Sequence, residues 1–319
     1  MQEDTFQELL RSKTNKVQDS ITKCFGIYKE QYRTRSEIQT VLDAMEYSIL
    51  AGGKRLRPLL MKETFLLFGG KEEDPVMGTL LIRFMTAMEM IHTYSLVHDD
   101  LPAMDNDEYR RGKETTWKRY GDAMAVLAGD ALLNSALEIV YHALDDCIRH
   151  GADEKQIETA IRCGCILAQK AGVGGMLGGQ VADVETEKKN LPMEKDKLIF
   201  IHLNKTAALI EASMAIGAML AGANERDTNV VMEIAGKVGL AFQIQDDILD
   251  VVGDANELGK PVGSDEKSGK QTYVTMMGIE KSRQEVEKLS SESAASLACL
   301  PGDHTFLEAL ILHLIYRNK

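Results

Sequence analysis

Helical periodicity runs through this chain almost end to end, and that pattern limits the fold more than any other feature. Apolar residues recur at spacings of three and four over 36–50, 54–68, 77–99, 122–149, 153–176, 194–222, 227–252, 268–298 and 305–316. Period-two alternation bounded by turn residues is nearly absent. Proline is scarce, 6 in 319 residues, and no Gly/Ser-rich or charged run marks a linker. No fixed-period repeat points to a solenoid. The expectation is all-α: a single domain over 1–319, built as one large helical bundle whose core can enclose a deep central cavity. Ser36-x-x-Gln39 and Thr305-x-x-Glu308 read as capping boxes. Asp122, after Gly121, reads as an N-cap.

Composition narrows the partners. A net charge of −12 argues against nucleic-acid binding. It also repels an anionic substrate on average, so Lys, Arg or metal must reverse the sign locally. The N-terminus, Met-Gln-Glu-Asp-Thr-Phe, lacks the basic and apolar regions of a signal peptide. The apolar stretch from Ala207 to Ala223 is interrupted by Glu211 and is too short to span a bilayer, so no stable membrane insertion is expected. Five cysteines form no C-x-x-C pair. They read as buried, reduced thiols of a cytoplasmic protein.

Two aspartate clusters carry the chemistry. The first is Asp99-Asp100-Leu-Pro-Ala-Met-Asp105, followed by Arg110-Arg111-Gly112. The second is Asp246-Asp247-Ile-Leu-Asp250, preceded by Gln243 and followed by Lys260. Carboxylates packed this densely repel one another and resist burial without a counter-charge. A hard divalent cation supplies one, and Mg²⁺ keeps positions open for substrate phosphate. Asp246 and Asp250, at i and i+4, share one helix face. Asp99 and Asp105 do not, but Pro102 breaks the helix between them and lets the chain swing Asp105 back toward Asp99. An EF-hand reading of Asp105-Asn106-Asp107 fails, because Arg110 stands where that loop needs glycine. Lys54 and Arg57, at i and i+3, converge on one anion or form a solvated helix start. His92, two turns before Asp99 on a similar face, is either a functional group or a core histidine.

Taken together, these residues resemble the trans-isoprenyl diphosphate synthase family. The matching motifs are Gly-Gly-Lys-Arg-Leu-Arg-Pro at 52–58, His-Thr-Tyr-Ser-Leu-Val-His-Asp-Asp-Leu-Pro-Ala-Met-Asp at 92–105, Arg-Arg-Gly at 110–112, Gly178-Gly179-Gln180, Lys205-Thr206, and Phe242-Gln243 leading into the second aspartate cluster. The four residues between Asp100 and Asp105 resemble the bacterial short-chain branch. Asn204 and Ala207 stand where that family is expected to show His and Gly.

The resemblance implies a short-chain prenyltransferase that joins isopentenyl diphosphate to an allylic diphosphate. Asp99, Asp105 and Asp246 would ligate about three Mg²⁺ ions, with Asp100, Asp247 and Asp250 holding metal-bound waters or orienting the ligands. Arg110, Lys205 and Lys260 would complete the allylic diphosphate cage. Lys54, Arg57, His92 and Arg111 would hold the diphosphate of isopentenyl diphosphate, and Arg317 and Lys319 would either close over it or belong to a frayed tail. Thr206, Gln243 and the Lys205 carbonyl would face the allylic cation. Tyr94, fifth before the first aspartate and next to Ser95, would form the floor that stops the product at farnesyl diphosphate. A helix wheel places Ser95 more directly above Asp99, which keeps geranylgeranyl diphosphate open as the product. The resemblance also implies a homodimer. A cyclase of the same fold lacks the Gly-Gly-Lys-Arg-Leu-Arg segment. A non-catalytic subunit has degraded acidic motifs, and a generic divalent-ion binder leaves the Lys/Arg set unexplained.

Overall fold

The computed structural model describes residues 3–189, 193–252 and 271–316. Two helices lie at its centre because they are apolar on nearly every side: α4 (Met77–Asp99) and α10 (Ala208–Leu220). The surrounding helices are α1 (Glu3–Glu30), α2 (Gln39–Ile49), α3 (Leu56–Leu67), α5 (Thr116–Tyr120), α6 (Asp122–Arg149), α7 (Glu154–Ala171), α8 (Met176–Lys188), α9 (Lys195–Ile201), α11 (Glu225–Val252), α12 (Tyr273–Met277), α13 (Ile279–Leu297) and α14 (Thr305–Ile315). A 3₁₀ turn at Ser36–Ile38 precedes α2. One hydrophobic core runs from Phe6 to Ile315, and the fold is all-α. Two residues at a time, β1 (Tyr109–Arg110) and β2 (Lys113–Glu114) make a minimal antiparallel hairpin, the one strand pair among the described residues.

Helix α1 was not expected from periodicity. Its buried residues, Phe6, Val17, Ile21, Cys24, Phe25 and Tyr28, are thinly spread among charged ones. It is held by polar anchors as well. The hydroxyls of Tyr28 and Tyr32 donate to Glu138 on α6 at 3.0 and 2.7 Å, and Lys13 pairs with Glu63 on α3 at 2.8 Å.

Several local expectations are corrected. The segment 153–176 ends as a helix at Ala171, and 172–175 separates it from α8. Neither expected capping box forms. Ser36 opens the 3₁₀ turn, while at the start of α14 the Asp303 carboxylate accepts the Thr305 N–H. The described boxes are at Asp153/Gln156 and Thr272/Thr275. Asp122 is the first residue of α6, and Gly121 is its cap. Cys24, Cys147 and Cys163 are buried free thiols, but Cys165 and Cys299 are exposed. Both α6 and the stretch 195–220 are long and apolar enough, by length and composition, to cross a membrane. For 195–220 that apolarity serves the core, since 61% of its most apolar window is buried in the bundle.

Candidate active site

Helix α4 ends at Asp99, and the chain folds back on itself. The Leu101 N–H donates to His98 O, and Asn106 adopts a left-handed conformation with its N–H on Leu101 O at 3.1 Å. The Asp105 N–H then donates to the Asp99 carbonyl at 2.9 Å. The two aspartates that an unbroken helix would separate therefore meet. Lys188, at the end of α8, clamps this loop through Ala103 O at 2.7 Å.

Gln180 Nε2 on α8 donates to Asp99 Oδ1 at 2.8 Å, while its Oε1 is buried without a hydrogen-bond partner among the described residues. Burial lifts the Asp99 carboxyl to about 6, against the pull of Lys205, and Asp105 and Asp100 push it the same way. Burial also raises Asp100, which Arg110 pulls back: Arg110 Nε and Nη2 each stand 2.6 Å from Asp100 Oδ1.

The hairpin explains how adjacent arginines serve different places. Its two-residue turn is Arg111-Gly112, with φ of 54° and 74°, the type I′ signature that strand twist favours. Arg110 on β1 turns to Asp100, whereas Arg111 in the turn reaches the Gly52 carbonyl. Trp117 Nε1 donates to Asp107 O at 2.8 Å, and the Tyr47 hydroxyl donates to Glu114 O at 2.7 Å, so the hairpin is braced from α5 and α2.

Opposite α4, the run 194–222 was expected as one helix. It is instead α9, a π-helical stretch at His202–Ala207, and α10. Such insertions often mark functional sites, and this one carries Lys205 and Thr206. Lys205 Nζ pairs with Asp183 Oδ2 on α8 at 2.7 Å. A Cβ on Gly179 would collide with the backbone of Lys205, so only glycine lets α8 approach this closely. Ala207 fits where the family pattern shows glycine because Gly239 on α11 faces it without a side chain.

The second cluster lies on α11. Asp246 is half-buried, while Asp247 and Asp250 are buried. Asp247 Oδ2 accepts the Tyr273 N–H at 2.7 Å, and His202 Nε2 of the π stretch stands 3.8 Å from the same oxygen. Three polar pairs thus lie between the two clusters, carried by α8 and the π stretch: Gln180 with Asp99, Asp183 with Lys205, and His202 facing Asp247. Gln243 is half-buried one turn before Asp246 and Asp247. Lys260, Arg317 and Lys319 lie outside the described residues.

A second cationic group lies along α4 from Asp99. Arg57 Nη1 stands 3.3 Å from His92 Nε2, and Arg57 Nε is buried without a hydrogen-bond partner among the described residues. Burial lowers Arg57 to about 10. Burial, and then Arg57, Arg111, Arg55 and Arg110, hold His92 well below 6.5, so its ring is neutral at pH 7. Lys54 is exposed in the loop before α3, and Ser95 donates its hydroxyl to His92 O at 2.9 Å. Tyr94 is buried, edge-on to His98 with ring centroids 5.8 Å apart.

The donors suit a hard cation. They are carboxylate oxygens, with the orphaned Gln180 Oε1 beside them ready to accept from a metal-bound water. Among the described residues no three carboxylate or histidine side chains stand together as a ready metal cage. Instead Gln180, Arg110 and Lys205 engage the aspartates of the first cluster and of α8. That agrees with Mg²⁺ chemistry, in which one or two carboxylates and substrate phosphates share the ion.

Residues 38–297 match the model of the polyprenyl synthetase family. A farnesyl diphosphate synthase of Escherichia coli is 43% identical over 285 residues, covering 88% of this chain and 90% of that protein. A putative chloroplastic geranylgeranyl pyrophosphate synthase of Arabidopsis thaliana is 43% identical over 281 residues, covering 88% and 74%. The crystal structure of a Helicobacter pylori geranyltransferase, complexed with magnesium and isoprenyl diphosphate, superposes with a TM-score of 0.76 at 30% identity, covering 95% of this chain and 96% of that one. This chain belongs to the polyprenyl synthetase family, the trans-isoprenyl diphosphate synthases, and is a short-chain prenyltransferase.

Proposed function

We propose that the enzyme condenses isopentenyl diphosphate with dimethylallyl or geranyl diphosphate and releases farnesyl diphosphate. The observation that carries this reading is the pairing of two unlike anion sites along α4. At the Asp99 end, carboxylates are interleaved with Arg110 and Lys205. At the His92 end, Arg57 and Arg111 gather around a neutral imidazole with one buried guanidinium N–H unspent. The first suits a diphosphate that departs with metal ions, and the second suits one that stays attached.

Asp99, Asp105 and Asp246 would hold about three Mg²⁺ ions, with Asp100, Asp247 and Asp250 orienting the waters of that shell. Bound there, Mg²⁺ neutralises the charge that collects on the departing diphosphate. Arg110 and Lys205 donate to the same diphosphate, with Lys260 as a further donor. Gln180 fixes the orientation of Asp99, and Asp183 that of Lys205. Lys54, Arg57, His92 and Arg111 hold isopentenyl diphosphate with its double bond toward the allylic carbon, which gives the usual advantage of orientation. The Thr206 hydroxyl, the Gln243 amide oxygen and the Lys205 carbonyl present negative partial charge to the allylic cation. Apolar walls keep water from it. The proton lost at the end passes to the departing diphosphate.

Tyr94, with Ser95 beside it, supports a stop near the C15 product, because a buried ring one turn below Asp99 shortens the room for the tail. Relatives named as geranylgeranyl diphosphate synthases are as similar to this chain as those named as farnesyl diphosphate synthases, so product analysis decides the length. The exposed apolar face of α6, with Val126, Leu127, Tyr141 and Ile148, supports a homodimer. We take the chain to act as a single domain in the cytoplasm. Incubation with isopentenyl diphosphate, an allylic primer and Mg²⁺ is expected to yield elongated prenyl diphosphate and none with a chelator present. Purified protein that gives no elongated product would overturn the reading.

A further inference from the structure

Beneath the cationic cradle lies a buried ion pair that the reaction itself does not use. Arg55 and Glu89 have side chains 1% and 3% exposed, and Arg55 Nη1 donates to Glu89 Oε1. Arg55 also donates from Nε to Gln18 Oε1 on α1 and from Nη2 to the Ile49 carbonyl at the end of α2. Its guanidinium therefore ties three helices together at one point. Its own backbone is left-handed, φ 47° and ψ 35°, at the cap of α3, and Gly52 and Gly53 just before it also have positive φ. A non-glycine residue holds that conformation only when its surroundings fix it. The bend it makes falls between Lys54 and Arg57, so it sets the direction in which each leaves the chain.

Glu89 also stands one helical turn before His92, on the same face of α4. It is the carboxylate that opposes the loss of charge on both Arg57 and Arg111. Burying guanidinium groups beside one another is costly without an anion nearby.

We infer that Glu89, acting through Arg55, is a positioning residue for the diphosphate of isopentenyl diphosphate, fixing the bend that aims Lys54 and Arg57 at it. This rests on the proposed reading of Lys54, Arg57, His92 and Arg111 as that cradle. The alternative role, simple neutralisation of excess positive charge, has the opposite consequence. A buried carboxylate repels an incoming diphosphate, so a mere neutraliser would tighten binding when removed.

The test is steady-state kinetics of Glu89→Gln, with each substrate varied at saturating levels of the other, and melting temperature as a check on folding. The expected result is a KM for isopentenyl diphosphate raised by about tenfold to a hundredfold. The allylic KM is expected to change much less, and Glu89→Asp to recover part of the loss. Because Glu89→Gln leaves Arg55 buried without its carboxylate, the double variant Arg55→Gln/Glu89→Gln repeats the measurement with no orphaned charge. It is expected to show the same selective rise. An unchanged or lower KM for isopentenyl diphosphate overturns the inference. So does an equal loss in both substrates that tracks the melting temperature, which is the mark of a merely structural pair. Lys54→Gln and Arg57→Gln serve as controls on the cradle. If these leave the isopentenyl diphosphate KM unchanged, the cradle itself is misassigned. If they raise it while Glu89→Gln does not, the cradle stands and the role of Glu89 falls.

Discussion

Lys205 Nζ stands 2.7 Å from Asp183 Oδ2, and this pair joins the π-helical stretch to α8 beside Asp99. The side chain of Asp183 is 12% exposed and that of Lys205 is 31% exposed, so the lysine still reaches solvent or ligand while the carboxylate beneath it is fixed. Asp183→Asn is expected to lower kcat by about tenfold to a hundredfold, the range seen when a partner that orients a functional group is lost. Melting temperature should change little by comparison. An unchanged kcat would show that Lys205 needs no such anchor.

Gly179 makes that arrangement possible. Gly179→Ala would drive a methyl group into the Lys205 backbone, where nothing flexible can yield. Overpacking of this kind costs about 1–3 kcal/mol. The expected outcome is a lower melting temperature together with loss of activity. A fully active, equally stable variant would contradict the close approach of α8.

Product length tests the floor. Tyr94→Ala is expected to shift the products beyond C15, read by chromatography of the dephosphorylated prenols. It should also cost about 3 kcal/mol or more of stability, as large-to-small changes of buried aromatics do. Tyr94→Phe keeps the ring and is expected to keep the product. An unchanged chain length in Tyr94→Ala places the floor elsewhere.

His92 gives a pH signature. Its folded pKa lies well below 6.5, so the unfolded chain takes the proton first as pH falls. The stability tied to its neutral ring is present above about pH 6.5 and is lost below it, by at most about 1.4 kcal/mol per pH unit. Asp99, raised from 3.8 to about 6, has the opposite sign: its contribution is full at low pH and lost as pH rises through 6. Comparing denaturation of the wild type and His92→Gln between pH 5 and 7 separates the two. The variant is expected to lack the acid loss, and NMR should find the His92 ring neutral at pH 7.

What the sequence made legible follows the physics of each feature. The central helix α4 was plain because it is long and apolar on nearly every side, and the apolar run that holds α10 was plain as helix though not its interruption. The return of Asp105 to Asp99 was legible from Pro102. Helix α1 was not, because its six buried residues are diluted by charge and it is held partly by Tyr28, Tyr32 and Lys13 reaching distant acids. The π stretch at 202–207 was hidden because one extra residue per turn leaves no local mark in an apolar run. Asp183 was missed, although its spacing of three from Gln180 on a helix would have placed both on one face. The hairpin was within reach in Arg111-Gly112, but two-residue strands carry no alternation to read. Glu89 drew no reading, since only the fold reveals that Arg55 lies buried against it.

The central claim is that a diphosphate and its Mg²⁺ ions bridge the aspartates at the end of α4 and those on α11. The most direct test is a crystal structure with Mg²⁺ and a non-ionising thiolo analogue of the allylic diphosphate. The account predicts metal density between the analogue and oxygens of Asp99, Asp105 and Asp246, with Arg110 and Lys205 on the same diphosphate. Analogue bound away from these carboxylates, or carboxylate rows too far apart to share it, would contradict the account.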